Sequence, residues 1–191
     1  MACQLNANVL FNARIEERRL TVSPAGMTLR GINIILRQDR CLFCRACEIA
    51  CAVSKSASKT LLGAISETQQ PLKRLRVSKD PNDDVILHNR CNQCREAACI
   101  SACSFGAIQR DPASLVVHID EKKCRACMRC VKSCGKGVLT IIRRKGNSPI
   151  AVKCDLCADL KTGPQCVRAC PTNALVISLP SLQTLDMAIG E

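Results

Sequence analysis

The chain has 191 residues and a formal charge of +12, with no Trp, no Tyr, three Phe and seventeen Cys. That length suits one ordinary domain or two small ones, and the dearth of large side chains excludes a core held by aromatic packing alone. The cysteines must therefore act as staples, either as a secreted disulfide framework or as metal ligands.

In chain order, residues 1–30 read as an N-terminal extension of unassigned role. Asn6, Asn8, Asn12, Glu16 and Glu17 interrupt any apolar run there, so a secretory leader is not expected. The pair Arg18-Arg19 has two readings, a twin-arginine signal and a solvated charge pair; the broken stretch from Leu20 to Gly26 favours the second. No segment approaches the roughly 18 apolar residues of a membrane span. Ligand cysteines in a cytoplasmic protein are expected, with contact to the cytoplasmic membrane face only through a partner.

Ile32–Leu36 is predicted as an opening strand. The first cysteine cassette follows, Cys41-x2-Cys44-x2-Cys47-x3-Cys51, and the second is Cys91-x2-Cys94-x4-Cys99-x3-Cys103. A hairpin is predicted next, Ala107–Gln109 and Leu115–Ile119 around the Asp111-Pro112 turn. The third cassette, Cys124-x2-Cys127-x2-Cys130-x3-Cys134, repeats the spacing of the first. A second hairpin, Val138–Ile142 and Ile150–Val152, flanks Lys145-Gly146-Asn147-Ser148. The fourth cassette is Cys154-x2-Cys157-x8-Cys166-x3-Cys170-Pro171, and Ala174–Ser178 reads as a closing strand. Short helices are expected after each fourth cysteine, most clearly over Cys47–Val53 and Cys99–Cys103. Residues 181–191 form a tail.

Four such cassettes take up sixteen of the seventeen cysteines and leave only Cys3. Three cysteines at two-residue gaps wrap one cube, each thiolate meeting a different iron. The fourth lies where the chain enters a helix and turns away, so it serves the other cluster of a two-cluster pair. The pattern therefore points to four [4Fe–4S] clusters on a duplicated ferredoxin-like α+β scaffold. The rival is a zinc-binding nucleic-acid module, but zinc sites use two CxxC knuckles across a longer span, with no shared fourth cysteine. Each oxidised cluster with its thiolates carries about −2, so four bring the net charge from +12 to roughly +4. The basic excess thus compensates buried anions, and no nucleic-acid partner is expected.

From Ile32 to Ile177 the chain resembles the four-cluster iron–sulfur subunits of the dimethyl-sulfoxide-reductase type, which serve formate dehydrogenases, formate hydrogenlyases and related complexes. The resemblance rests on Cys154-Asp-Leu-Cys157, Gly163-Pro-Gln-Cys166-Val-Arg-Ala-Cys170-Pro171 and Thr172-Asn-Ala-Leu175. Within that family, Cys47-Glu-Ile-Ala-Cys51 through Lys59, then Leu61, Pro71 and Arg76-Val77, is most similar to the electron-transfer partner of nickel carbon monoxide dehydrogenase. The resemblance implies that cassettes pair first with fourth and second with third. One cluster would use Cys41, Cys44, Cys47 and Cys170, and another Cys91, Cys94, Cys99 and Cys134. A third would use Cys124, Cys127, Cys130 and Cys103, and the last Cys154, Cys157, Cys166 and Cys51. Residues 31–90 with 150–180 would then form one two-cluster module and 91–149 the other. Ser104 and Gly135 stand where relatives commonly carry proline, so looser turns are expected there. Met27 stands where a relative of ordinary length would start.

Electron relay follows from the resemblance, with a carbon monoxide dehydrogenase as donor and a membrane-bound hydrogenase or other oxidoreductase as acceptor; the alternative is a subunit of a formate dehydrogenase or hydrogenlyase. No nucleophile–base set, phosphate loop or paired carboxylates stands out, so no catalytic residue is expected. Cys3 reads as incidental, and His88 and His118 as strand residues that either pack or tune a cluster. Lys73-Arg74-Leu-Arg76 and Arg143-Arg144-Lys145 are either docking patches for an acidic partner or solvated loop charge.

Overall fold

A computed structural model of the chain describes residues 32–143 and 148–178. The expectations for residues 1–30, for Cys3, Arg18-Arg19 and Met27, for Arg144 and Lys145, and for the tail lie outside the described residues.

Among the described residues, eight short strands pair two by two, every pair antiparallel. Strand β1 (Asn33–Leu36) lies against β8 (Leu175–Ser178), with Asn33 opposite Ser178 and Leu36 opposite Leu175. This pairing joins the two ends of the described chain. Ile34 is buried while Asn33 and Ile35 are exposed, the period-two pattern of a strand with one face on the core. The expected hairpin around Asp111 is formed by β4 (Ile108–Arg110) and β5 (Val117–Ile119). Asp111 Oδ1 accepts from the amides of Ala113 and Ser114 at 3.1 and 2.6 Å, which is why the Asp-Pro step turns the chain. The next expected hairpin is β6 (Thr140–Ile142) with β7 (Ile150–Val152), and it ties residue 150 back to the segment before it. One further hairpin, β2 (Arg76–Lys79) with β3 (Ile86–Asn89), is absent from the sequence expectations. Its acidic loop is closed by Asp80, whose side chain accepts from Asn82 N at 2.9 Å.

Helices fall on the two expected ranges, Cys47–Val53 and Cys99–Cys103, but they correct the rule that helices follow each fourth cysteine. Helices α1 (Ala46–Ser54), α3 (Ala98–Ser101), α4 (Arg129–Ser133) and α5 (Gln165–Arg168) begin at or just before each third cysteine instead of following the fourth. A short helix α2 (Leu61–Ser66) comes between α1 and β2, capped where the Thr60 hydroxyl accepts from Gly63 N. Only α1 runs on past its fourth cysteine. The other three cassettes turn there: Gly106, Gly137 and Asn173 donate to the carbonyls of Cys103, Cys134 and Cys170 at 3.1, 3.0 and 3.3 Å. Each of these donors sits at positive φ, 61°, 59° and 53°, where glycine and asparagine are tolerated best. The same turn forms after Cys103-Ser104 and Cys134-Gly135 as after Cys170-Pro171, so the looser turns expected without proline are not found.

Helix α1 packs on α5, and α3 packs on α4. Two buried clusters form the core. In one, Ile34, Val77, Leu156 and Leu175 surround Cys51, Cys91, Cys154 and Cys166; in the other, Ile108, Val117, Leu139 and Ala151 surround Cys130. Cysteine thus occupies core positions that aromatic side chains fill elsewhere.

Candidate functional site

Every cassette carries a left-handed residue two places after its first cysteine. These are Phe43 (φ 54°), Gln93 (φ 53°), Ala126 (φ 50°) and Leu156 (φ 56°). In the two cassettes of equal spacing a second one follows the second cysteine, Arg45 at 59° and Met128 at 63°. A non-glycine residue in this region costs on the order of 1–3 kcal/mol, and such strain persists only where the surroundings impose it. Left-handed residues in tight turns also aim successive N–H groups to one side, as at many anion and iron–sulfur sites. The repeat seen in cysteine spacing is thereby also a repeat in backbone conformation.

The sequence-predicted ligands converge on cavities. Cys41, Cys44, Cys47 and Cys170 line one of about 370 Å³, counting its open mouth, walled by Phe43, Val77 and Leu175. Cys103, Cys124, Cys127 and Cys130 line a second, of about 320 Å³. Cys51, Cys154, Cys157 and Cys166 line a third, of about 300 Å³, beneath Ile34, Leu75 and Leu156. For the remaining set, the Cys99 thiol lies within electrostatic reach of Cys91 and Cys134, and Cys94 is exposed on the same loop. Accessibility differs between the sets. Cys44, Cys94 and Cys127 are exposed, whereas Cys51, Cys154, Cys157 and Cys166 are all buried.

The surroundings of the sulfurs fall into donors and counter-charges. Backbone N–H groups of Arg74, Ala151 and Ala174 donate to the sulfurs of Cys51, Cys124 and Cys170 at 3.2, 3.3 and 3.2 Å. Burial pushes the Cys47 thiol up to about 11 and Cys154 to about 12, and raises Cys166 further. Cys170 goes the other way: burial raises it, but the amides of Leu175 and Ala174 and the Thr172 hydroxyl outweigh that and hold it below the ordinary thiol value. Where the thiols are pushed up, a metal must displace their protons to bind.

Of the run Lys73-Arg74-Leu75-Arg76, Lys73 and Arg74 are held in ion pairs, while Arg76 stays exposed. Lys73 pairs with the buried Glu48, and Arg74 pairs with Asp155 at 2.6 Å, where Lys55 also reaches Asp155 and Asp159. Glu48 in turn accepts from Val77 N at 2.7 Å. Burial alone would raise the Glu48 carboxyl; Lys73 and the Val77 amide overcome it and hold it low. His88 lines the cavity of Cys41 and Cys170, with Nε2 buried and unpaired among the described residues. Burial first, then the nearby Arg90, push its imidazole down to about 4. Two residues of this surrounding are absent from the sequence expectations, the buried cations Arg90 and Lys153. Each directly precedes the first cysteine of a cassette, but so do the exposed Arg40 and Lys123, so no sequence signal sets the buried pair apart.

The donor sets fit iron–sulfur groups. Among the described residues no three His, Cys, Asp or Glu side chains close on one point as a single-ion site requires. The thiols ring apolar cavities instead, as a polynuclear cube needs, and N–H groups aimed at the sulfurs suit anionic thiolates. No described helix is long and apolar enough to cross a membrane.

Comparison with known proteins agrees with this chemistry. The family model of the 4Fe-4S dicluster domain matches residues 82–179. Electron transport protein HydN of Escherichia coli (strain K12) is 34% identical over 155 residues, covering 75% of this chain and 85% of that protein. An iron-sulfur protein of Rhodospirillum rubrum is 36% identical over 173 residues, covering 84% and 88%. Thiosulfate reductase electron transfer subunit PhsB of Salmonella typhi is 29% identical over 150 residues, covering 72% and 70%.

Proposed function

The chain belongs to the 4Fe-4S dicluster family of iron–sulfur electron-transport proteins, and we propose that it holds four [4Fe–4S] clusters and relays single electrons between a catalytic oxidoreductase and a downstream acceptor. The observation that carries this reading is the convergence of cysteines on cavities, each lined by three thiols of one cassette and one from its partner cassette. When bound, such a group supplies a one-electron couple whose potential its surroundings set.

The protein's own part is to hold, insulate and order these sites. The apolar walls exclude water, the N–H donors at Cys51, Cys124 and Cys170 favour the thiolate form, and the ion pairs around Asp155 stiffen the loop of Cys154 and Cys157. Helix α1 joins the first and fourth sets and α3 joins the second and third. Cys91 lies within electrostatic reach of Cys154, which joins the second set to the fourth. These links support the order first, fourth, second, third, which two duplicated modules end to end would give. The exposed Cys44 and Cys127 leave the two end sets open to protein partners, and the exposed Cys94 does the same for the second set.

We assign the donor as a carbon monoxide dehydrogenase, which the resemblance over Cys47–Lys59 and Arg76-Val77 supports, and the acceptor as a membrane-bound hydrogenase or another oxidoreductase on the cytoplasmic face. The second reading, a subunit of a formate dehydrogenase or formate hydrogenlyase complex, is favoured by the fourth-cassette motif shared across that wider family.

Anaerobic analysis of the holoprotein tests the cofactor reading: roughly sixteen irons and as many sulfides per chain are expected, and saturation near eight would overturn it. Co-purification from the native cell separates the partner readings. Carbon monoxide dehydrogenase in the eluate supports the first, and a formate-oxidising complex in its place supports the second.

A further inference from the structure

Arg90 and Lys153 are 6% and 2% exposed. Among the described residues, every hydrogen bond that either makes goes to a neutral oxygen. Arg90 donates to the carbonyls of Ile34 and Cys91 and to the side-chain oxygens of Asn33 and Asn92. Lys153 donates to the carbonyls of Val117 and Cys154. Among the described residues the cations paired with buried or half-buried carboxylates are Lys55, Lys73, Arg74 and Lys123, not these two. A guanidinium cannot shed its charge at physiological pH, and an uncompensated buried charge is strongly destabilising. Carbonyl dipoles alone make a poor substitute for a counter-ion.

The groups able to supply the missing negative charge are sulfurs. Cys154, Cys166 and Cys91 face Arg90 electrostatically, and Lys153 acts on Cys99. These thiols belong to the second and fourth sets, the two in the middle of the row. Arg90 also grips β1 through Asn33 and Ile34, and Lys153 grips β5 through Val117. Both cations are therefore pinned by secondary structure at the junction of the two modules.

We propose that Arg90 and Lys153 are the fixed counter-charges of the two inner clusters, raising the reduction potentials at the sites of Cys91, Cys94, Cys99 and Cys134 and of Cys51, Cys154, Cys157 and Cys166 relative to the two end sites. Reduction adds one negative charge to a site, so a fixed positive charge beside it favours the reduced form. The end sites lack such a buried partner: Arg40 and Lys123, which directly precede the first cysteines of those cassettes, are exposed, as is Arg45, which lies over the Phe43 ring at 4.9 Å. The proposal rests on the four-cluster reading and predicts a division that this reading alone does not.

The test is an EPR-monitored redox titration of the holoprotein carrying Arg90→Gln or Lys153→Gln, beside Arg90→Lys and Lys153→Arg. The Gln variants should move two of the four midpoints downward, by about tenfold in the reduction equilibrium, which is about 59 mV for one electron. The other two midpoints should stay in place, and the charge-preserving variants should keep all four near their original values. Unmoved midpoints at full iron content overturn the proposal, as does an equal shift of all four. If the Gln variants lose iron, retention by the Lys and Arg variants supports a need for charge, and equal loss by all of them overturns it. A shortfall of iron in the unaltered protein would instead sink the four-cluster reading itself.

Discussion

Cys47 and Cys51 sit one helical turn apart on α1, yet they line different cavities. Cys47 stands with Cys41, Cys44 and Cys170, and Cys51 with Cys154, Cys157 and Cys166. The same division recurs across the end of α5, where Cys166 is on the helix and Cys170 in the turn beyond it, and across the end of α3, where Cys99 faces Cys134 while Cys103 joins the third cassette. A short stretch of backbone thus bridges two sites at each of these places, as a helical turn on α1 and as a helix end with the turn that follows it on α3 and α5.

Because of that bridging, Cys170→Ala should remove a ligand from the site of Cys41, Cys44 and Cys47 and spare the site of its own loop. Iron content should fall by about four per chain, with one EPR-visible species lost. Cys51→Ala should give the reciprocal loss, at Cys154, Cys157 and Cys166. Identical spectra from the two variants would show that both thiols serve one site.

Removing the metal should unfold the chain. Cysteines occupy the centres of both core clusters, and the cassette loops hold non-glycine residues in left-handed conformations at Phe43, Gln93, Ala126 and Leu156. Metal binding is the term that offsets this strain, as in other small metalloproteins. Chelated protein should lose its cooperative melt and become protease-sensitive throughout residues 32–178. A compact apo form with a sharp transition would contradict this.

Glu48 clamps α1 to β2. Its carboxylate accepts from Val77 N and from Lys73, and the residue is 5% exposed. Glu48→Ala leaves the Val77 amide buried without an acceptor, at a cost of about 1–3 kcal/mol. Glu48→Gln keeps an acceptor there and should lose less. The carboxyl is held below its ordinary value of 4.5, so its contribution is complete above that pH and disappears as the pH falls through the lower, folded-state value. Thermal melts of the holoprotein at pH 7 check the ranking; a larger loss for Gln than for Ala would refute it.

His88 has the opposite charge sense. Its imidazole is pushed from 6.5 to about 4, so between those values the unfolded chain binds a proton that the folded chain refuses. Stability should therefore decline as the pH drops from about 6.5 toward 4, over and above any loss of metal. His88→Gln removes that titration, and its melting temperature should fall less steeply across the window than that of the unaltered protein. Parallel curves for the two proteins would rule the effect out.

What could be read along the chain was local. Ligand spacing is a matter of a few residues, so the four cassettes, the Asp111-Pro112 turn and the opening and closing strands were legible in order. Which cysteine faces which cavity is not local: Cys170 reaches Cys41 only because β8 returns to pair with β1. The helices expected over Cys47–Val53 and Cys99–Cys103 are present, but the left-handed residues that open each loop, at Phe43, Gln93, Ala126 and Leu156, are ordinary side chains that carry no glycine signal. Lys73 and Arg74 read as a docking patch or as solvated loop charge, and nothing in the sequence singled out Arg90 and Lys153. Packing turned the first pair onto Glu48 and Asp155 and closed the second pair inside. Burial of a charge depends on strands brought together from distant parts of the sequence, and only the tertiary structure decides that.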